Sequence, residues 1–241
     1  MNITYLKHSG FLLEWSCCYW LFDYYKGEIP ELIPDKPLFV FCSHAHGDHF
    51  NPKIFDLLKR HPSVTYLFSN QIRQTYRKMK KKTEDLPEVT FLYNGTDTEL
   101  SDGSGNPICV HALRSTDCGC AFFLKYEGKT VYHAGDLHWW LWRSEGEAFN
   151  KKMTSDYKKE MEYLAGRQID LAFTPLDPRQ EEDYACGMNY FLENAKVKRV
   201  FPMHFWNDFS VIDKYLEENQ VPDHTEFYRI TEDGQCWIID M

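Results

Sequence analysis

The chain has 241 residues, of which 43% are hydrophobic and 16% aromatic, and its formal net charge is −9 at pH 7. This length and composition allow a sizeable buried core, and we expect one domain over residues 1–241. The acidic balance argues against non-specific binding to nucleic acids or anionic membranes, which require clustered positive charge. We therefore expect a small-molecule substrate and no nucleic-acid or membrane partner, with the oligomeric state left open.

The chain starts with Met1-Asn2-Ile3-Thr4 and lacks the charged start and apolar stretch of a secretory signal. No apolar run reaches the roughly 18–20 residues that a transmembrane helix needs. The eight cysteines form no paired C-x-x-C zinc motifs, and most lie in apolar runs typical of small core residues. We therefore expect a cytoplasmic protein whose thiols are reduced.

Apolar and alternating runs predict strands, and turn residues separate several of them. The strands predicted up to residue 133 are Ile3–Leu6, Phe11–Trp15, Tyr19–Asp23, Leu38–Cys42, Val64–Phe68, Ile108–Leu113, Ala121–Tyr126 and Thr130–His133. The predicted helices are Pro52–Arg60, Asn70–Lys80, Glu147–Leu164, Glu181–Glu193 and Val211–Glu218. Strands at Ile169–Thr174 and Arg199–Met203 enclose one of these helices, and this βαβ order predicts an α/β fold with helices outside a sheet.

The segment Ser43–Phe50 contains four potential metal ligands within six residues: His44, His46, Asp48 and His49. It follows the apolar strand Leu38–Cys42 and precedes Asn51-Pro52, a helix-start signal, so its side chains belong at one edge of a sheet. Imidazole and carboxylate groups hold zinc, iron or manganese. The first two histidines are two residues apart and point the same way on an extended backbone, whereas Asp48 and His49 turn toward a second position.

These residues fit the His-x-His-x-Asp-His signature, and the chain resembles the metallo-β-lactamase superfamily. Two further segments occur in the order of that family: Tyr132–Asp136, a strand end followed by Gly-Asp, and Val200–His204, a strand ending in His. Within the superfamily the chain is most similar to the lactonase-like hydrolases of bacteria, which open with a Gly-containing hairpin such as His8–Phe11. The resemblance implies a four-layer αβ/βα sandwich and an internal duplication, which the sequence itself does not reveal.

The resemblance also implies a set of metal ligands shared between two positions: His44 and His46 at the first, Asp48 and His49 at the second, Asp136 between them, and His204 on the second. One or two zinc ions are the implied cofactor, and manganese or iron would also suit these ligands. A hydroxide held by such ions is a nucleophile near neutral pH, because the metals lower the pKa of water to about 7.

One ligand of the family pattern is missing. Members usually supply a third His to the first metal, from the loop after the strand that Ile108–Leu113 resembles, but residues 114–119 contain none. Asp117 is the natural substitute, because its carboxylate has a similar reach. Otherwise the first position is incomplete and only one ion binds firmly. His111 is a poorer candidate, because it lies within the predicted strand.

Other side chains are candidates for substrate binding. By resemblance, His8 lies in a turn that approaches the site, where it would contact substrate or support a ligand. Trp139 and Trp140 follow Asp136 closely in a tryptophan-rich segment, which would form an apolar wall beside the metals or pack on the core. Arg179 follows a strand end on the same edge, where it would grip a carboxylate or phosphate or remain solvated or ion-paired.

These features predict a metal-dependent hydrolase in which a metal-bound hydroxide attacks an ester or lactone bond, and in which the catalytic carboxylates Asp136 and Asp48 position the nucleophile. The preference for a carbon-centred substrate depends on the closest resemblance alone. A phosphodiesterase or nuclease is the first alternative, although the acidic charge argues against a large nucleic acid. A metal-binding sensor or redox protein without hydrolytic turnover is the second alternative, because the third His is missing.

Overall fold

The computed structural model describes residues 1–57, 61–83 and 85–241. Its α-helices are α1 (Arg73–Lys80), α2 (Gly146–Leu164), α3 (Cys186–Asn194) and α4 (Ser210–Glu218), and 3₁₀ segments occur at Pro52–Asp56, Asn70–Ile72, Arg143–Glu145 and Pro178–Asp183. The strands are β1 (Asn2–Lys7), β2 (Gly10–Glu14), β3 (Tyr19–Phe22), β4 (Leu38–Cys42), β5 (Val64–Ser69), β6 (Val89–Leu92), β7 (Asp97–Ser101), β8 (Pro107–Arg114), β9 (Cys120–Tyr126), β10 (Lys129–His133), β11 (Gln168–Ile169), β12 (Leu171–Pro175), β13 (Lys196–Val197), β14 (Arg199–Met203), β15 (Glu226–Phe227) and β16 (Cys236–Ile238). Within the described residues, no helix is long and apolar enough to span a membrane.

Two seven-stranded sheets repeat the same arrangement. The first has the order β16-β1-β2-β3-β4-β5-β6, antiparallel from β16 to β3 and parallel from β3 to β6. The second has the order β15-β14-β12-β10-β9-β8-β7, antiparallel from β7 to β10 and parallel through β10, β12, β14 and β15. This repetition is the internal duplication that the family resemblance implied.

Side chains alternate between the two faces of each strand, and this alternation builds the layers. In β3, Phe22 faces the second sheet and stacks on His133, with 4.8 Å between the ring centroids. Leu21 faces the other way and belongs to an outer cluster that includes Tyr76 of α1. On the far side, α2, α3 and α4 cover the second sheet with residues such as Phe191. The layers are helix, sheet, sheet and helix, so the predicted four-layer αβ/βα sandwich is confirmed.

Most predicted elements overlap an observed element, and the strands Leu38–Cys42 and Arg199–Met203 match at both ends. The predicted helix at Pro52–Arg60 is a 3₁₀ helix over Pro52–Asp56, and residues 58–60 lie outside the described residues. The helix predicted at Glu181–Glu193 begins later, at Cys186, because Glu181 has a positive φ of 55° that interrupts the chain before it. The short strands β6, β7, β13, β15 and β16 were not predicted; β7 and β15 have one apolar residue each, and β13 and β15 have only two residues.

Candidate metal centre

The candidate metal centre lies beyond the carboxyl ends of parallel strands from both sheets. The segment after β4 supplies residues 43–49, and the turn after β10 supplies Asp136. Asp177 follows β12, and His204 directly follows β14. Crevices at the carboxyl ends of parallel strands are the usual location of sites in α/β folds. The two facing sheets bring these edges together.

The carboxylate of Asp136 is in the middle of the centre. Its Oδ2 lies 3.3 Å from Nε2 of His44, and its Oδ1 lies 3.2 Å from Nε2 of His49 and 3.4 Å from Nε2 of His204. Burial raises the pKa of this carboxyl well above its usual range, and the neighbouring carboxylates add to the effect. One carboxylate therefore reaches three imidazoles, the arrangement expected of a bridging ligand.

Two glycines let the loops of the second sheet approach the end of β4. At Gly135, where φ is +50°, a Cβ atom would lie 2.6 Å from Cβ of Ser43. At Gly119, where φ is +75°, a Cβ atom would lie 1.8 Å from the carbonyl oxygen of Ser43. Glycine supplies both the left-handed backbone and the space at these positions. The two loops that carry Asp136 and Asp117 depend on this close approach.

Hydrogen bonds fix the orientation of His44. Ser43 Oγ donates to Oδ2 of Asp23 at 2.6 Å and lies 2.9 Å from Nδ1 of His44. Because the hydroxyl has one proton, Nδ1–H of His44 donates to Ser43, and the lone pair of Nε2 stays free. Burial lowers the pKa of His44 to about 2, so the imidazole is neutral, which is the form that binds metal ions.

Two more histidines are each held by a buried carboxylate. Nδ1 of His49 donates to Oδ2 of Asp23 at 2.8 Å, and Nδ1 of His204 donates to Oδ2 of Asp177 at 2.9 Å. Burial lowers the pKa of both histidines, to about 4 for His204. A carboxylate on Nδ1 fixes the ring so that Nε2 faces the metal, and it is the common support of metal-binding histidines.

The buried polar atoms of the centre fit a cation. Four of them have no hydrogen-bond partner within the described residues: Nε2 of His8, His44 and His49, and Oδ1 of Asp136. An unsatisfied buried polar group costs about 1–3 kcal/mol, and a bound cation would remove that cost. The ligand atoms form overlapping groups with all atoms within 4.8 Å of one another: His8, Asp48, His49 and His204; His44, His46 and Asp48; and His44, His49 and Asp136. The six ligands predicted from the sequence all occur in these groups.

The outer edge of the centre is more open. The side chains of His46 and Asp117 are 53% and 47% exposed, and Nδ1 of His46 lies 4.0 Å from Oδ2 of Asp117. Cys118 completes a further possible metal-binding group with these two residues, and burial raises the pKa of its thiol. Asp117 therefore lies on the side where the family pattern expects the third His. Its role as a ligand stays a prediction.

His8 lies against the ligand side chains. It occupies the turn between β1 and β2, and its Nε2 lies 3.4 Å from Oδ2 of Asp48. Its ring centroid is 4.1 Å from that of His204 and 5.3 Å from that of His49. The cavity beside the centre is lined by other residues. His8 therefore contacts the ligands more directly than it could contact a substrate in this cavity.

A cavity of about 400 Å³ opens onto the metal centre. Its polar lining includes Asp48, Asp136 and His204, and its apolar walls are formed by Trp140, Trp142, Phe149, Met153 and Trp206. Nε1 of Trp140 donates to the backbone oxygen of Asp136 at 3.0 Å, and its ring is stacked on Trp142 with centroids 5.8 Å apart. The aromatic wall is thus attached to the turn that carries Asp136.

Arg179 lies at the edge of the same cavity, between two aromatic rings. The guanidinium carbon is 5.6 Å from the ring centroid of Trp142 and 4.5 Å from that of Trp206. Nε and Nη2 donate to the carboxylate of Asp177 at 2.6–3.0 Å. Burial alone would raise the pKa of Asp177, but the hydrogen bonds from His204 and Arg179 hold it well below its usual range. Arg179 is therefore ion-paired with Asp177 through Nε and Nη2, and its Nη1 takes no part in these hydrogen bonds.

Two residues considered from the sequence are engaged elsewhere. Trp139 lies outside the cavity lining, donates from Nε1 to Oγ1 of Thr154 at 2.9 Å and packs on Tyr157 of α2. This is the core-packing alternative for that tryptophan. Nδ1 of His111 lies 2.8 Å from Oδ1 of Asp97, on the paired strands β7 and β8.

The residues that sequence reasoning missed are the carboxylates that support the ligands. Asp23 appeared only as the end of a strand, and Asp177 was not considered as a partner of His204. Asp23 directly follows β3, and Asp177 comes two residues after β12. These are positions after parallel strands, like those that carry the ligands after β4 and β14. That shared position is the signal that could have identified them.

Comparisons with known proteins agree with this geometry. A family model described as a β-lactamase superfamily domain matches residues 2–152. A UPF0173 metal-dependent hydrolase of Opitutus terrae is 31% identical over 151 residues, which cover 56% of this chain and 63% of that protein. Another from Desulforamulus reducens is 26% identical over 227 residues, which cover 85% of this chain and 84% of that protein.

The solved structure of Igni18, a metallo hydrolase from Ignicoccus hospitalis, matches 100% of this chain and 98% of its own, with a TM-score of 0.69 and 16% identity. At that identity the likeness concerns the fold alone. The matched family model covers more than half of the chain and includes the ligand-rich segment at residues 44–49. As its motif predicted, the chain belongs to the metallo-β-lactamase superfamily.

Proposed function

We propose that the chain is a metal-dependent hydrolase that acts on an ester or lactone bond of a small molecule. The observation that carries the proposal is the convergence of Asp136 with the Nε2 atoms of His44, His49 and His204. The metal-dependent hydrolases that the chain resembles support the enzyme class. The preference for a carbon-centred bond is our own extension, supported by the apolar walls of the adjoining cavity.

The ligand groups support two positions for metal ions. His44 and His46 would hold the first with the help of Asp117, and Asp48, His49 and His204 would hold the second, with Asp136 facing both. When bound, the ions lower the pKa of water and polarise the oxygen that gains charge in the reaction. Zinc suits the imidazole-rich second position, and the carboxylates at the first position also suit manganese or iron.

The catalytic roles go to two carboxylates that face the cavity. Asp48 and Asp136 both belong to its lining. They would accept hydrogen bonds from the attacking water, hold it against the substrate and take its proton. His204 lies in the same lining, and its hydrogen bond to Asp177 keeps it turned toward the centre. Substrate would approach from the tryptophan side, because His44 and His49 are fully buried.

The cavity walls support a substrate with a flat or aliphatic portion. Trp140, Trp142 and Trp206 present aromatic surface within reach of Asp136. Apolar contact of this kind stabilises a complex by about 25 cal/mol for each Å² removed from water. Binding there would leave the reactive carbonyl group beside the carboxylates. In small-molecule sites, apolar walls commonly hold the ligand and a few polar groups orient it.

Arg179 supports a second candidate, the hydrolysis of a small phosphodiester. Its guanidinium lies at the cavity edge, and Nη1 is outside the pairing with Asp177. Such a fork binds phosphate oxygens well. The net charge of −9 disfavours a long nucleic acid, so the substrate in this case would be a small cyclic phosphodiester.

We also propose a cytoplasmic location without a nucleic-acid or membrane partner. All eight cysteines are free thiols in the structure, which supports a reducing compartment. The acidic charge supports the absence of polyanionic partners.

The test is a metal analysis of protein purified without added metal, followed by assays with chromogenic lactones, esters, thioesters and phosphodiesters. We expect lactone or ester turnover that a chelator abolishes. Asp136→Asn is the matched control, because it keeps the shape of the side chain and removes its charge. Turnover of phosphodiesters alone would favour the second candidate. Metal binding without turnover of any substrate would favour the sensor or redox alternative.

A further inference from the structure

The turn between β1 and β2 holds His8 in an unfavourable backbone conformation. Its φ is 59°, in the left-handed region, which costs about 1–2 kcal/mol for a residue with a side chain. The turn joins the paired residues Lys7 and Gly10, and glycine or asparagine would fit its tip at lower cost. The chain therefore keeps an imidazole where the backbone alone would favour another residue.

Hydrogen bonds tie this turn to the second half of the protein. The backbone nitrogen of His8 donates to the hydroxyl of Tyr5 at 2.8 Å, and its carbonyl accepts from the backbone nitrogen of His204 at 3.2 Å. His204 also has a positive φ, of 65°. Two histidines in the left-handed region are thus joined directly, and a ligand of the metal centre is one of them.

No hydrogen bond offsets the cost of burying Nε2 of the His8 imidazole. The residue is 4% exposed, and within the described parts of the chain its Nε2 has no hydrogen-bond partner. The nearest carboxylate oxygen, Oδ2 of Asp48, is 3.4 Å away. Charge-assisted N–H···O bonds are shorter, at about 2.7–2.9 Å. The free Nε2 lies instead in one group with the ligand atoms of Asp48, His49 and His204, all within 4.8 Å of one another.

We propose that His8 is an additional ligand of the second metal position. This inference rests on the proposed metal-dependent function, and it adds a residue that the His-x-His-x-Asp-His signature does not contain. With Asp48, His49 and His204, and with Asp136 facing both positions, it would complete a set of three imidazole nitrogens and two carboxylate oxygens. The second position would then hold its ion far more tightly than the first.

The test compares two substitutions that suit the backbone of the turn. His8→Gly removes the imidazole and accepts the positive φ, and His8→Asn keeps a polar side chain that tolerates the same conformation. His224→Gly is the matched control, because it removes an exposed histidine from a loop. Circular dichroism establishes that each variant is folded. The readouts are zinc affinity by chelator competition, metal content per chain and the ligand-field absorption of bound cobalt(II).

We expect His8→Gly to weaken zinc binding at the tighter position by more than about a hundredfold, because losing a residue that only supports a ligand costs about 10–100-fold. The cobalt(II) absorption should change, and added imidazole should restore part of the affinity by entering the space left by the side chain. His8→Asn should show the same spectral change, and His224→Gly should bind like the wild type. A loss of a hundredfold or less with an unchanged cobalt(II) spectrum would overturn the proposal.

The failure of this inference is distinguishable from the failure of the proposed function. A wild-type protein with no affinity for zinc, manganese or iron would overturn both. A wild-type protein that binds zinc and hydrolyses esters, with a His8→Gly variant that binds zinc equally well, would overturn the role of His8 alone.

Discussion

The buried and exposed sides of the metal centre differ in how firmly the protein holds its ligands. On the buried side, His49 and His204 each donate a hydrogen bond to a carboxylate that is fully buried. On the exposed side, the side chain of His46 is 53% exposed, and its nearest acidic oxygen, from Asp117, is 4.0 Å away. Both sides contain suitable ligand atoms, but His46 and Asp117 lack the buried carboxylate support that His49 and His204 have.

This difference indicates that support around the ligands, and not only their number, will decide the affinity for each ion. A ligand already fixed by its neighbours loses little conformational freedom when the ion binds. An exposed ligand must be ordered at that moment. We therefore expect a tightly held ion on the buried side and an exchangeable ion on the exposed side.

The exposed side adjoins two surfaces. The tryptophan-lined cavity of about 400 Å³ and a polar groove of about 670 Å³ share Asp117 in their linings. The groove also contains Arg114, Gln71 and Lys159. An ion on the exposed side would therefore be the one that exchanges more readily with solvent.

Replacing Asp136 should have the strongest consequence, because this residue is common to both sides. Asp136→Asn should lower metal affinity at both positions by more than about a hundredfold, the upper cost of losing a merely supporting residue. It should also abolish hydrolysis, since the carboxylate reaches three imidazoles. Isothermal titration with zinc measures the affinities, with His46→Ala as a control that should affect one position only. Two undiminished binding events in Asp136→Asn would contradict a bridging role.

Two further substitutions each remove one carboxylate, from the buried side and from the exposed side. Asp177→Asn should weaken the tighter ion by about 10–100-fold, because it removes the support of His204. Asp117→Ala should lower the occupancy of the first position and leave the tighter ion in place. Metal content after dialysis against a weak chelator measures both. Equal losses in the two variants would mean that the sides do not differ in support.

The buried histidines also predict how the metal-free protein responds to acid. Burial lowers the pKa of His204 and of His138 to about 4, against 6.5 for the ordinary side chain. Between these values the unfolded state binds more protons than the folded state, so stability falls as the pH is lowered. Each histidine should contribute a drop of about 1.4 kcal/mol per pH unit in the free energy of unfolding, and the raised pKa of Asp136 opposes one of these contributions.

Urea unfolding of chelator-treated protein across this range measures the slope. Zinc-loaded protein is the control, and its stability should begin to fall at a lower pH, because the bound ion competes with protons for His204. A metal-free protein whose stability does not change with pH would contradict the buried, neutral state of these rings.

A weaker effect is expected from the aromatic side chains that form the cavity walls. Trp142→Ala should raise the Michaelis constant by about tenfold with metal content unchanged, because it removes on the order of 50 Å² of apolar contact with the substrate. Trp139→Ala is the matched control, since that ring packs on Tyr157 away from the cavity. It should lower the melting temperature and leave the Michaelis constant alone. If Trp139→Ala raised the Michaelis constant and Trp142→Ala changed only the melting temperature, the proposal of an apolar substrate would lose its support.

The candidate ligands could be selected from the sequence because most of the information is local. A strand, a loop and a helix start place His44, His46, Asp48 and His49 at one sheet edge whatever the rest of the chain does. Asp136 and His204 each follow a strand end in the order of the superfamily motifs, so the resemblance sufficed to select them. The alternating strands and helices of the second half predicted helices outside a sheet, and the four-layer order was implied by the same resemblance.

The groups that support the candidate ligands, and the side of the centre that is buried, could be identified only from the folded structure. Asp23 and Asp177 reach His49 and His204 across 26 and 27 residues of sequence, through hydrogen bonds that depend on strand pairing. Trp139 and Trp140 are neighbours in sequence, yet only Trp140 lines the cavity, because the backbone direction after Asp136 separates them. A residue type and its spacing specify what a side chain can bind. Its partner is set by distances that exist only after the two sheets have packed together.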